Sequence, residues 1–275
     1  ECGKVEFAVK YLSQVTPGDM DKYDILYPMS ITIAKNLSEK GIPMGKMATG
    51  ITSIRVFDRF RNSRNEFKKE FLDLLRRFRG INAWSDEIVN IFKPYIPVVK
   101  TRIGIYENVF KPSENKNYNR FFTVGWVGRI DTPDYRRHKG YDIVLTALKG
   151  LDVAFDIRTY KENYVPRIEM AGFYQKLDCF VCSSISEGLP NPVLEAAACG
   201  VPVISTKVGI VPELIRPNYN GLIVPRTSDA IRNAMLFLKN NPNTRLQMGR
   251  RIRQTVLDNW TWSKCGKDWV YDGEI

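Results

Sequence analysis

Histidine is nearly absent from this sequence of 275 residues, and the single copy, His138, excludes any metal site built on several histidines. No GxSxG pattern occurs, and His138 sits in the basic stretch RRHKG, so Ser-His-Asp chemistry finds no support; a phosphate-lining or non-catalytic place suits that histidine better. GxGxxG is missing, as is GxxxxGK followed by Ser or Thr, which argues against an NAD-type enzyme and a P-loop ATPase. No run of about 18 uncharged apolar residues is long enough to span a bilayer, and the opening ECGKVEFAVKYLSQV lacks the pattern of an export signal. A cytoplasmic protein is expected, with peripheral attachment at a membrane surface as a second placement.

Cysteine is scarce and odd in number, five in all, in a chain too large to need disulfide staples. Cys179 and Cys182 form a CxxC pair, but within DCFVCSS they read as a buried strand, where positions three apart face opposite ways. Small buried side chains are the better account of them than a metal site.

Positive charge is abundant: 41 basic against 30 acidic residues give a formal net charge of +11. Such an excess favours anionic partners without choosing among them. The densest block, Arg55 to Arg79, holds nine basic and four acidic residues. From Arg64 on it reads as a helix with Phe67, Phe71, Leu74, Leu75 and Phe78 on one side and Lys68, Lys69, Arg76, Arg77 and Arg79 elsewhere. A core-packed helix with a solvated basic face and a contact for a polyanionic or membrane-associated acceptor both fit this pattern.

Along the chain, short apolar strands alternate with helical stretches, the mark of βαβ units and a mostly parallel sheet. The first series comprises DILY, a helix over 31–42 stopped by Gly41, strand KMATG, the basic helix, strand INAW, a short helix from Ser85 and strand PVVKTRI. A polar, Asn-rich stretch, KPSENKNYNR (111–120), reads as a linker. The second series opens with FFTVGWVG and runs through AFDIR, CFVCS, PVIST and LIV, with helices between them and two more after. Such near-continuous apolar strands suit a sheet covered on both faces, and ligands of such sheets collect at the carboxyl ends of the strands.

Two groups of residues fall at those ends. Glu187 and Gly188 follow strand CFVCS, and Pro190 suits a helix start, where free amides would favour an anion by roughly 0.3 to 1 kcal/mol. Glu195 lies about one turn or more into that helix, with a carboxylate able to accept from hydroxyls. Gly128, Arg129, Lys139 and Gly140 form the second group, two cations near an amide-rich turn that suit a diphosphate. On local pattern alone, solvated or capping glutamates and solvated cations account for the same residues.

The composite stretch SEGLPNPVLEAAACGVPVISTKVGIVPELI resembles the donor-binding segment of retaining, nucleotide-sugar-dependent GT-B glycosyltransferases, the family 4-like group known as glycosyl transferases group 1. Two glutamates with seven residues between them, Glu187 and Glu195, are followed by Gly200 to Ile204 and by Val208, Gly209 and Glu213. VGWVGRI with HKG resembles the family's phosphate-binding loop, INAWSDEIVNIF and IGIYENVFKP the end of its acceptor-side domain and interdomain strand. The C-terminal WTWSKCGKDWVYDG resembles its final helix.

The resemblance implies an α/β GT-B protein with two Rossmann-like domains facing across a cleft, the N-terminal one reduced or truncated. Residues 1–112 would be the acceptor-side domain, 113–258 the nucleotide-sugar domain and 259–275 a helix crossing back, with Trp262 and Trp269 packing the two domains together. It implies a hexosyltransferase that moves a sugar, with retention and without a metal or other cofactor, from a nucleotide sugar to a hydroxyl. A UDP-sugar leads as donor, ahead of GDP- and ADP-sugars. Arg129, Lys139 and Glu187 would be catalytic, the cations stabilising charge on the departing diphosphate. Gly128, Gly188, Leu189, Asn191 and Glu195 would bind the donor, Glu195 through the ribose. The acceptor would be a lipid or glycan at an anionic membrane; alternatives are modified bases of viral DNA and a non-catalytic sugar-nucleotide-binding protein. The chain departs from the family pattern in three places. Thr49 and Gly50 stand where many members have a histidine; DTPDYRRH is longer than the usual phosphate loop and would be remodelled or partly mobile; and the usual glycine after AFDIR is missing.

Overall fold

A computed structural model describes residues 9–114 and 121–269. Residues 115–120 of the expected linker, most of the stretch read for an export signal and the last six residues of the expected C-terminal helix lie outside the described residues. Contacts divide the chain into two units, one made of residues 1–103 and 265–275, the other of residues 104–264. The changeover at Ile103 and Gly104 falls ahead of the polar stretch in which the sequence suggests a linker.

The first unit carries α1 (Asp19–Lys22), α2 (Ile31–Glu39), β1 (Ala48–Ile51), α3 (Lys69–Leu75), β2 (Gly80–Ala83), α4 (Asp86–Phe92) and β3 (Val99–Lys100). Its three strands are parallel, in the order β1-β2-β3. DILY contributes only a single parallel bridge, Leu26 with Met47. Ser30 and Ser85 cap α2 and α4 by accepting from the amides of Ile33 at 3.2 Å and Ile88 at 3.4 Å, which satisfies donors that a helix start leaves open.

The basic segment differs from its expected form: the helix begins at Lys69, not near Arg64. Asn62 Oδ1 accepts from the amides of Arg64 and Glu66, and Asn65 takes φ 64°, so a side-chain-stabilised turn occupies the first residues. Phe67, Phe71, Leu75 and Phe78 are nevertheless buried, and Phe67 and Phe71 meet Phe57 and Phe92 in an aromatic core.

The second unit contains β4 (Thr123–Gly128), α5 (Pro133–Lys139), α6 (Tyr141–Leu148), β5 (Ala154–Thr159), α7 (Met170–Tyr174), β6 (Cys179–Cys182), α8 (Asn191–Ala198), β7 (Val203–Ser205), α9 (Val211–Leu214), β8 (Leu222–Ile223), α10 (Ser228–Asn240) and α11 (Pro242–Asn259). Its sheet is parallel throughout, in the order β5-β4-β6-β7-β8. The central strand β6 is buried at every position, as its unbroken apolar run requires. Val124, Trp126, Val181 and Ile204 form the core on one side with α6 and α10.

From Pro133 on, the stretch DTPDYRRH, expected as a remodelled or partly mobile loop, is helical and forms α5. Thr132 caps it by accepting from the Tyr135 amide at 3.2 Å, Pro133 opens the first turn and Gly140 closes it at φ +71°.

Candidate active site

The loop after β6 is stitched to its neighbours on both sides. Toward α5, the Ile185 amide donates to the His138 carbonyl at 2.9 Å, and His138 Nε2 lies 2.9 Å from the Ser186 carbonyl. Toward β7, Thr206 Oγ1 donates to the Ser184 carbonyl at 2.8 Å. Within the loop, Ser184 Oγ donates to Glu187 Oε1 at 2.7 Å, and Lys139 Nζ reaches the same oxygen at 2.5 Å. A hydroxyl and a cation thus orient one carboxylate at the carboxyl end of the sheet.

A cavity of 270 Å³ opens there, lined by Lys139, Glu187, Ser184, Leu189, Asn191 and the ring of Trp126, among others. Four of the eight residues suggested by the sequence, Lys139, Glu187, Leu189 and Asn191, share this cavity. Gly128, Arg129, Gly188 and Glu195 do not line it. Gly128 is needed for packing, because a Cβ there would lie 2.4 Å from the Trp126 ring. Gly188 supplies a carbonyl to the Ile210 amide, and a Cβ on Gly209 would lie 2.2 Å from that carbonyl oxygen.

The free amides expected at the start of α8 are already used. Pro190 stands before the first turn, the Asn191 amide donates to the Leu189 carbonyl at 2.9 Å, Pro192 has no N–H, and the Val193 amide donates to the Pro190 carbonyl at 2.8 Å. The cation among the residues lining the cavity is Lys139, while the first amides of α8 are engaged by carbonyls of their own segment.

Arg129 is held by Asp131 through two bonds, Nε at 3.0 Å and Nη2 at 2.7 Å, and lies over the rings of Tyr135 at 3.8 Å and Tyr160 at 5.0 Å. The guanidinium keeps the Asp131 carboxyl below its ordinary range. Glu195 is only 4% exposed; it accepts from Arg167 Nε and from Tyr174 Oη, each at 2.8 Å. Burial pushes its pKa up, against the pull of Tyr174 and Arg167, and burial together with the nearby carboxylate pushes the Tyr174 phenol well up.

Ser183, Ser184, Arg167 and Tyr174 were not singled out in the sequence. Two serines directly after a buried strand were a usable signal for the first pair; Tyr174, at the end of α7, and Arg167, in the turn before it, meet Glu195 only because that segment packs on α8. Of the departures in the first unit, Thr49 donates to the Pro28 carbonyl at 2.9 Å, and a Cβ at Gly50 would lie 2.5 Å from the Tyr27 hydroxyl, so a side chain there would require Tyr27 to shift. Trp262 packs on Gly104 and Tyr106, whereas Trp269 donates to the Arg102 carbonyl at 2.7 Å and meets Tyr27 edge-on. Among the described residues, no group of three or more His, Cys, Asp or Glu is placed to hold a metal ion.

Residues 162–255 match the family model of glycosyl transferases group 1. An uncharacterized glycosyltransferase of Methanocaldococcus jannaschii is 31% identical over 46% of this chain and 42% of its own length. Another uncharacterized glycosyltransferase, from Haemophilus influenzae, is 32% identical over 67% of this chain and 54% of its own. The GDP-mannose-dependent alpha-(1-6)-phosphatidylinositol monomannoside mannosyltransferase of Mycolicibacterium smegmatis is 41% identical over 29% of this chain and 21% of its own. The chain thus spans about half or less of the length of these relatives. Among solved structures, sucrose-phosphate synthase from Thermosynechococcus elongatus superposes with a TM-score of 0.73 at 16% identity, covering 90% of this chain and 72% of that one. Anabaena HepE in complex with UDP and glucose gives 0.72 at 16%, covering 92% and 78%. The chain has the GT-B fold, with two Rossmann-like α/β units.

Proposed function

We propose that this chain transfers a sugar from a nucleoside diphosphate sugar to a hydroxyl acceptor, with retention and without a metal. The observation that carries the reading is the Lys139–Glu187 pair in a cavity at the carboxyl edge of a parallel sheet, within reach of the segment that matches glycosyl transferases group 1. Lys139 would exchange its carboxylate partner for the diphosphate and stabilise the charge that builds as the sugar leaves. Glu187, oriented by Ser184, would then be released toward the sugar. Arg129 would join the diphosphate after leaving Asp131, and Glu195 would meet the ribose from its buried place beside Arg167. Attack on the face from which the diphosphate departs, with the phosphate taking the acceptor proton, would retain configuration.

A UDP-sugar leads as donor, with GDP- and ADP-sugars next. A lipid or glycan acceptor at an anionic surface fits the basic first unit, in which Arg64, Lys68, Lys69 and Arg77 are exposed. A ligand that binds only the folded state raises the melting temperature. UDP, GDP and ADP are therefore tested by thermal shift on the parent and on Lys139→Ala: at least one should stabilise the parent by several degrees and the variant far less. No shift with any of the three, or an equal shift in the variant, overturns the reading. Release of free sugar from the matching nucleotide sugar separates an enzyme from a non-catalytic binder.

A further inference from the structure

Lys139 reaches Glu187 because the turn between α5 and α6 is held against the end of β6. Ser183 Oγ lies 2.7 Å from the Lys139 carbonyl and 3.1 Å from that of Gly140, a donor shared between them, and Trp126 Nε1 donates to the same hydroxyl at 3.3 Å. Gly140 allows the approach: a Cβ there would lie 2.3 Å from the Ser183 carbonyl oxygen. The remaining tie comes from outside the cavity. Arg226, in the loop between β8 and α10, donates from Nε to the Ser183 carbonyl at 2.8 Å and from Nη2 to the Arg137 carbonyl at 2.6 Å.

We propose that Arg226 is a positioning residue of the donor site, clamping the last turn of α5 to the end of β6 and so aiming Lys139 Nζ into the cavity at the diphosphate. The inference rests on the donor-site reading given above. One edge of a guanidinium offers Nε–H and Nη–H side by side, which matches two carbonyls from different elements; a lysine ammonium is a point charge that cannot reproduce that fork. Among the described residues no carboxylate pairs with Arg226, and burial lowers its pKa, so its charge is held by carbonyl dipoles alone. One of those carbonyls belongs to the last turn of α5, where the helix dipole favours a cation.

The test is a double-mutant cycle read by calorimetric titration, using whichever of UDP, GDP and ADP binds the parent most tightly as the probe. Lys139→Ala and Arg226→Ala should each weaken the probe roughly tenfold or more, the loss expected for a charge-assisted hydrogen bond. The double variant should be no weaker than Lys139→Ala alone, because the two act through one group. Arg226→Lys should fall between parent and Arg226→Ala, and the corresponding nucleoside, which lacks phosphates, should bind parent and Arg226→Ala alike. Additive losses, parent-like affinity of Arg226→Ala, or an equal loss for the nucleoside overturns the inference while leaving the donor site standing. Should Arg226→Ala fail to fold, Arg226→Lys carries the same cycle. A probe that binds Lys139→Ala as tightly as the parent, or no probe binding the parent, overturns the donor-site reading and the inference with it.

Discussion

Glu195 shows how one buried carboxylate is tolerated and what it costs. It sits inside α8 with a phenol and a guanidinium as donors, yet burial still holds its pKa above the ordinary glutamate value. A carboxyl whose folded-state pKa is raised contributes stability that is complete below its unfolded value of about 4.3 and is lost as pH rises through the folded-state value. Glu195→Gln cannot ionise and escapes that loss. Melting curves at pH 4 and pH 7 should show the parent falling more than the variant between the two; equal changes would mean that the carboxylate is fully compensated by Arg167 and Tyr174.

Elements carry their own constraints, and two glycines separate them. Gly140 and Gly150 have nearly the same positive φ, +71° and +69°, but a Cβ at Gly150 would meet nothing within 4 Å. Gly150→Ala should cost about 1 kcal/mol, the strain of a left-handed residue alone. Gly140→Ala adds the collision with the Ser183 carbonyl and should cost about 2–4 kcal/mol by urea unfolding. Similar costs for the two would show that the turn yields readily.

The same region shows what could be read from the chain. α5 was legible in full, since Thr132, Pro133, Asp134 and Gly140 are cap, start and stop of a helix in order; the expectation of a remodelled loop overlooked that punctuation. Strands β4 to β8 follow directly from their apolar runs, and Ser228–Asn240 from its cap and period. The start of α3 was hidden because Asn62 and Asn65 favour a turn that the hydrophobic period does not register. Glu187 could be found from its place after a buried strand, and Lys139 from its place in HKG ahead of a helix. The contact of Arg226 with two carbonyls could not, because backbone oxygens are present at every position and leave no sequence trace.

At the scale of the whole molecule, the first unit recruits residues from both sides of the second. The Asp268 carboxylate accepts from Arg102 Nε at 2.7 Å, Nη2 at 3.0 Å and the Arg102 amide at 3.2 Å. Burial raises the pKa of Asp268, but these bonds to Arg102 outweigh it and leave the carboxyl below its ordinary value. The stability such a group contributes is present above its unfolded pKa of about 3.9 and lost as pH falls through the folded value. Asp268→Asn should therefore lower the melting temperature near pH 7, with the gap to the parent closing below about pH 4. A gap that persists in acid would place the effect in packing rather than charge.

Because Arg102 and Asp268 meet within one unit while everything from Gly104 to Lys264 belongs to the other, the first unit is a split body with the second inserted into it. On the ribosome, where chains emerge from the N-terminus, all of the second sheet is made before Asp268 appears. The second unit can thus mature while its partner still lacks its final strap, and a pause in synthesis ahead of residue 265 would leave the earlier-made unit as the unfinished one.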